Sequence, residues 1–287
     1  MAEAATVPAP PLAPPAAAPV RTIAVCSGKG GVGKTSVSVN LSVALAQRGR
    51  SVMLLDADLA MANADVLMGV QTHGNLAHVL SGERRLAEIV CAGPAGVQLV
   101  PASSGVAHLA NLSPAEHAGL IHAFSELETP LDVLIVDVAA GIADSVVMFT
   151  RAVQEVLVVV CDEPASLTDA YALIKVLSRE QQVRRFQVLP NQVTNAVEGQ
   201  ALFRKLEAVC ERFLDVQLDY VGSIPRDDYL RRAVQAQKPV VTAYPASKAA
   251  RAFKDVAERA DKRKVSMGPW GGVEFFVERL VAAGAAR

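Results

Sequence analysis

Residues 28–35 read GKGGVGKT and meet every fixed position of the pattern G-x-x-x-x-G-K-[ST]. Glycines let a chain curl until successive N–H groups face one point, and a helix N-terminus behind them adds partial positive charge, a combination suited to phosphate oxygens. In this pattern Lys34 bridges the β and γ phosphates of a nucleotide and the Thr35 hydroxyl binds Mg²⁺. The binding set is Gly28, Lys29, Gly30, Gly31, Val32, Gly33, Lys34, Thr35 and Ser36. Lys29 is surplus to the pattern. Its side chain leaves the loop surface, where it is either a solvated lysine or a group offered to a nucleotide held by a second subunit.

Carboxylates follow at two predicted strand ends. LLDAD places Asp56 and Asp58 at the carboxyl end of the second strand, the edge where open α/β sheets bind ligands. Without a phosphate loop upstream the pair would read as a cap or turn. Asp56 is placed to hold either the Mg²⁺ hydration shell or its own loop. In LDVLIVDVAAG an apolar strand ends in Asp137, a carboxylate that meets Mg²⁺ through its water shell in such arrangements. Gly141, just beyond, has a backbone N–H to present to the terminal phosphate.

These groups need a scaffold, and the chain spells one out. From Val20 onward short apolar runs (RTIAVCS, RSVMLLDAD, GVQLVPAS, LDVLIVDV, EVLVVVCDE, RFQVLPN, DYVGSIP) alternate with helical stretches at 113–126, 165–180 and 198–214. Near-continuous apolar strands separated by helices predict an α/β fold: a mostly parallel, doubly wound sheet flanked by helices on both faces. With 287 residues, 51% of them hydrophobic, one large domain is expected. It should span 21–264, after a disordered Ala/Pro-rich tail at 1–20 and before a linker and amphipathic helix at 265–287.

Composition removes several functions. The 28 Lys and Arg are balanced by 29 Asp and Glu, without the basic excess of a dedicated nucleic-acid binder, so no direct nucleic-acid contact is expected. Cys26, Cys91, Cys161 and Cys210 form no CxxC pair, which argues against a zinc site or disulfide framework and for reduced thiols in a cytoplasm. No signal peptide is legible, and runs such as VLVVVC are too short to span a bilayer.

With its second lysine, GKGGVGKTS resembles the deviant phosphate loop of the MinD/ParA ATPases. The resemblance implies an ATP-dependent homodimer that uses Mg²⁺. It implies that Lys29 reaches the phosphates of the opposite subunit and acts as an arginine finger does, where the leaving phosphate becomes negative. It also implies that Asp58, second in the DxD pattern, orients the attacking water. LPN at 189–191 and SIPRDD at 223–228 match in place the family segments that hold adenine, which assigns Asn191 to the base edge with Pro225 and Asp227 beside it. Val138 stands where the family usually carries Thr, so one hydrogen bond is missing and slow turnover is expected.

Further segments narrow the resemblance. DADLAMANADVLMGV, DVAAGIADSVV, CDEPASLTDAYALIKVL, EGQALFRKL and EFFVERLV are similar to the FleN/FlhG group of flagellar-number regulators. That similarity implies an antagonist of a FleQ-type master transcription activator that also restrains an SRP-type GTPase of the FlhF type. It implies a place near the cell pole with peripheral contact at the inner face of the membrane. The Ala/Pro tail carries no DQA motif of the kind that stimulates that GTPase, so the transcription-activator role is the firmer implication.

Val273, Phe276, Val277, Leu280 and Val281 fall at helical spacing on one stripe. The stripe serves either a membrane-targeting helix, released when ATP drives dimerisation, or a helix packed into a groove on the domain. Glu274, Glu278 and Arg279 share the polar face, Phe275 lies off the stripe, and only Lys262, Arg263 and Lys264 upstream favour anionic lipid. Rival readings are an iron–sulfur carrier ATPase, which needs paired cysteines, a ParA-like DNA-partitioning ATPase, which needs a basic surface, and a MinD-like division-site ATPase that differs in output.

Overall fold

The computed structural model describes residues 19–59, 61–102, 112–263 and 273–285. Strand β1 (Arg21–Ser27) leads into α1 (Lys34–Ala46), and β2 (Val52–Ala57) into the short helices α2 (Ala64–Met68), α3 (Leu76–Leu80) and α4 (Leu86–Ile89). Strands β3 (Cys91–Ala92) and β4 (Gln98–Val100) precede α5 (Pro114–Ser125); β5 (Val133–Ala140) precedes α6 (Asp144–Arg151); β6 (Glu155–Val160) precedes α7 (Pro164–Glu180). Then come β7 (Arg185–Val193), α8 (Ala196–Phe213), β8 (Gln217–Tyr220), β9 (Ile224–Pro225), α9 (Asp228–Gln235), α10 (Val240–Ala243), α11 (Lys248–Lys262) and α12 (Val277–Ala285).

The apolar runs become buried strands: every residue of β2 and β6 is buried, as a parallel sheet covered on both faces requires. The order is β3-β4-β2-β5-β1-β6-β7-β8, with β9 pairing to the end of β7. Among the described residues only the β3 and β4 pair is antiparallel. Strand β1 lies between β5 and β6, so the loop after it opens at the point where the sheet order reverses, the usual ligand crevice of such sheets.

Alternation along each strand divides the core in two. Ala24 and Cys26 join Phe124, Phe149, Leu173 and Leu202 on one face. Ile23 and Val25 join Leu41, Val240 and Phe253 on the other. Helix α1 is buried almost all round, polar positions included. Its Ser42 hydroxyl donates to Ser38 O and Asn40 Nδ2 to Ser36 O, which removes the cost of burying them.

Two of the expected helices begin at side-chain caps and the third at a proline. Ser113 accepts from the Glu116 N–H at the start of α5, Asn195 from the Glu198 N–H at the start of α8, and α7 opens on Pro164.

The C-terminal segment departs from the expected stripe. Its helix starts at Val277 rather than Val273, and Val273 and Val281 are exposed, whereas Phe275 is fully buried. The reason is that two adjacent phenylalanines enter one site. Phe275 and Phe276 both meet the Phe124 ring edge-on, with centroids 5.0 and 6.3 Å away. Neighbouring positions on a helix diverge by about 100°, so the chain holds Phe276 at φ 56° instead. The Phe275 N–H donates to Ala152 O, and Arg279 donates to Leu127 O while stacking over Phe276. The segment is thus packed onto the domain. The tail up to residue 18 and the linker at 264–272, with Lys264 and Trp270, lie outside the described residues.

Candidate active site

The loop at 28–33 turns on glycines for two different reasons. Gly31 and Gly33 have φ of 80° and 90°, which side-chain-bearing residues rarely adopt. Gly28 is needed for space, since a Cβ there would lie 2.1 Å from the Asp169 carbonyl carbon of α7. Gly30 meets no such limit. Behind the loop Lys34 opens α1 and is 8% exposed. Thr35 and Ser36 follow on the first turn, and Ser36 Oγ is buried without a partner.

Under the loop lie two carboxylates. Asp56 and Asp137 sit directly opposite each other on the paired strands β2 and β5, both buried. Ser38 Oγ donates to Asp137 Oδ1 at 2.8 Å, with Lys34 and the Thr35 hydroxyl beside it. Oδ2 of Asp137 is buried without a hydrogen-bond partner. Burial pushes the Asp137 carboxyl above its ordinary range despite Lys34 and the two hydroxyls. Burial and then the charge of Asp137 push Asp56 up as well. Two buried carboxylates, one lysine and an unsatisfied carboxylate oxygen fit a hard divalent cation held through water, so the residues suit Mg²⁺.

Between its two expected uses, Asp56 serves the loop. Its Oδ1 accepts from the Asp58 N–H, and its Oδ2 from the N–H groups of Asn63 and Ala64, at 3.0 to 3.2 Å. Asp58, half-buried at the sheet edge, accepts from the Met61 N–H and adds its charge to the field at Asp137. Val138 is buried and cannot replace the hydrogen bond that a Thr would make.

Three expected contacts are bonded elsewhere. The Gly141 N–H donates to Ser27 O at 2.9 Å and so braces the loop instead of facing a phosphate. Asn191 donates its Nδ2 to Val32 O at 2.7 Å and accepts on Oδ1 from the Gln192 N–H, which uses both ends of its amide. Asp227 caps two helices: Oδ1 accepts from Tyr229 N in α9 and Oδ2 from Ala249 N in α11. Pro225 pairs with Val193 as part of β9. The phosphate-side residues are brought together, whereas the base-side set serves the scaffold.

Sequence reasoning missed three residues. Ser38 lies one turn beyond Lys34 and orients Asp137. Gln192, at φ 57°, extends Nε2 to Gly31 O. Glu163, an acidic residue between strand β6 and Pro164, binds Lys29 Nζ at 2.7 Å. Its signal was an acidic pair at a strand end facing the ligand crevice.

Comparisons with known proteins find relatives over most of the chain. The family model described as ParA, NUBPL iron-transfer P-loop NTPase, matches residues 19–260. The antiactivator FleN of Pseudomonas aeruginosa is 57% identical over 263 residues, which cover 92% of this chain and 94% of that protein. The flagellum site-determining protein YlxH of Helicobacter pylori is 37% identical over 217 residues, covering 75% and 73%. Among solved structures, the septum site-determining protein MinD of Pyrococcus horikoshii, complexed with Mg-ADP, is 28% identical with a TM-score of 0.70, over 85% of this chain and 96% of that one.

Proposed function

Since the chain belongs to the MinD/ParA family of P-loop ATPases, in its FleN/FlhG group, we propose that it is an ATP-switched dimer that regulates flagellar number by restraining a FleQ-type transcription activator. The observation that carries the switch is Lys29: a second, solvent-exposed lysine on the loop of a complete phosphate site. Met61 and Ile142, on the loops that follow β2 and β5 at the same sheet edge, are 72% and 51% exposed, and exposed apolar side chains at a ligand edge suit burial against a second copy. The flagellar output rests on the relatives, one an antiactivator and one a flagellum site-determining protein.

In the proposed mechanism Gly28 to Ser36 cradle the phosphates, and Lys34 holds the β and γ groups. Thr35 and Asp137 would hold Mg²⁺, with Asp56 shaping the loop beside it, and the bound ion would supply positive charge against the phosphates. Asp58 orients the attacking water, and Lys29 of the opposite subunit stabilises the leaving phosphate. No helix among the described residues is long and apolar enough to cross a membrane. Contact with the inner face of the membrane would need the phenylalanine pair to leave Phe124, so the membrane-bound form is a second state of the C-terminal segment. Restraint of an FlhF-type GTPase would belong to the same ATP-bound dimer.

A metal-carrier role, which the iron-transfer description of the matched family raises, has no paired cysteines to rest on. Cys26, Cys161 and Cys210 are buried, and burial pushes them up to about 12, 11 and 11, far from the thiolate that binds metal. Light scattering with ATP and Mg²⁺ tests the switch, and flagellar counts in a host lacking the gene test the output. A monomer at every nucleotide condition removes the switch. Normal flagellar number with minicells would assign the output to cell division. Equal pelleting with liposomes of the whole chain and of one ending at Met267 removes the membrane-bound form.

A further inference from the structure

The pair between Lys29 and Glu163 has no part in the mechanism above, although it engages the residue on which the dimer reading rests. Lys29 Nζ lies 2.7 Å from Glu163 Oε2, with the side chains 39% and 59% exposed. Glu163 is held in place: it is the residue before α7, Pro164 fixes the first helical position after it, and its N–H donates to Cys161 O at 2.8 Å. Gly28, adjacent to Lys29, is packed against the backbone of Asp169 in the second turn of α7. The start of the phosphate loop and the start of α7 are therefore one rigid piece, with the lysine and the carboxylate set face to face. Each stabilises the charge of the other: Glu163 raises the Lys29 ammonium above its ordinary range, and Lys29 lowers the Glu163 carboxyl.

We propose that Glu163 is the positioning residue that retains Lys29 within its own subunit until a partner's nucleotide displaces it, and thereby sets the threshold for dimerisation. The proposal rests on Lys29 acting across the dimer. In this scheme the Lys29 ammonium leaves the Glu163 carboxylate as it reaches the opposite phosphates. Dimerisation thus exchanges a carboxylate for phosphate oxygens. A triphosphate carries more negative charge than a diphosphate and competes better for the lysine, so the exchange sharpens the preference of the dimer for ATP over ADP. Among the charges facing the pair, Asp169 adds to the hold on Lys29 and Arg226 to that on Glu163. The neighbouring Asp162 is paired with Lys205.

The test measures dimer fraction by light scattering against chain concentration, with Mg·ATP and Mg·ADP, for full-length wild type, Glu163→Gln, Glu163→Asp, Lys29→Ala and the Lys29→Ala/Glu163→Gln double variant. Glu163→Gln should lower the concentration for half-dimerisation with ATP by about two- to fivefold, the range of an exposed ion pair. The gap should close on going from about 0.05 to about 0.5 M salt. The variant should also form more dimer with ADP, and Glu163→Asp should fall between it and wild type. In the Lys29→Ala background the Glu163→Gln change should have no effect, because the two act through each other. A weaker ATP dimer for Glu163→Gln, or the same shift without Lys29, overturns the proposal. A Lys29→Ala protein that dimerises and hydrolyses like wild type defeats the reading of Lys29 across the dimer itself. A defective Lys29→Ala beside an unaltered Glu163→Gln removes only the retention by Glu163.

Discussion

At the phosphate end of the cleft, charged side chains face one another. Lys34, Asp56 and Asp137 are buried together, and Asp137 keeps an oxygen for which the protein supplies no partner. At the base end the polar side chains face the scaffold: Asn191 is bonded at both ends of its amide, and Asp227 at both carboxylate oxygens, to backbone groups. A buried polar atom left unpaired is expensive, so its persistence at Asp137 marks where a ligand completes the site. A satisfied side chain carries no such mark, and its family role has to compete with a structural one.

The sharpest way to break this contrast is Lys34→Ala. It removes the ammonium beside Asp137 that would meet the β and γ phosphates, so nucleotide affinity should fall at least about a hundredfold, about 3 kcal/mol, and ATP-dependent dimer should vanish in light scattering. Near-normal affinity by calorimetry would show that the phosphate end does not depend on its lysine. Asp58→Ala should slow hydrolysis by about 10²- to 10⁴-fold while the ATP dimer accumulates, since binding groups are untouched. Normal phosphate release would transfer the water-orienting role to another residue.

The base end should respond in stability rather than in recognition. Asp227→Ala removes a cap from two helices at about 1 kcal/mol each, which for a chain of this size lowers Tm by about 4–8 °C, with ATP-to-GTP preference unchanged. Asn191→Ala should weaken ATP, ADP and GTP alike by about two- to tenfold, the value of one hydrogen bond to the loop. A selective loss of ATP over GTP in either variant would return that residue to the base edge.

The same contrast explains what the sequence disclosed. The phosphate loop is contiguous, and its chemistry follows from eight neighbouring residues, 28–35. Asp56, Asp58 and Asp137 were legible because apolar strands point their ends at one edge. All seven expected strands are present, with SIP separated as β9 and a two-residue β3 added. Glu163, Gln192 and Ser38 were not legible, because each depends on which loop a neighbouring strand or helix brings alongside. The C-terminal stripe misled for a related reason: periodicity assumes a helix from Val273, whereas Phe124 takes two consecutive rings and forces an irregular start.

That pairing of Phe124 with Phe275 and Phe276 joins residues separated by half the chain. During synthesis the face of α5 that bears Phe124 stays open after the phosphate loop, its sheet and its helices have left the ribosome. Domains that fold while being made expose such surfaces to chaperones and proteases. A chain that ends before Val273 therefore carries a complete phosphate loop while the Phe124 face of its core stays unsealed.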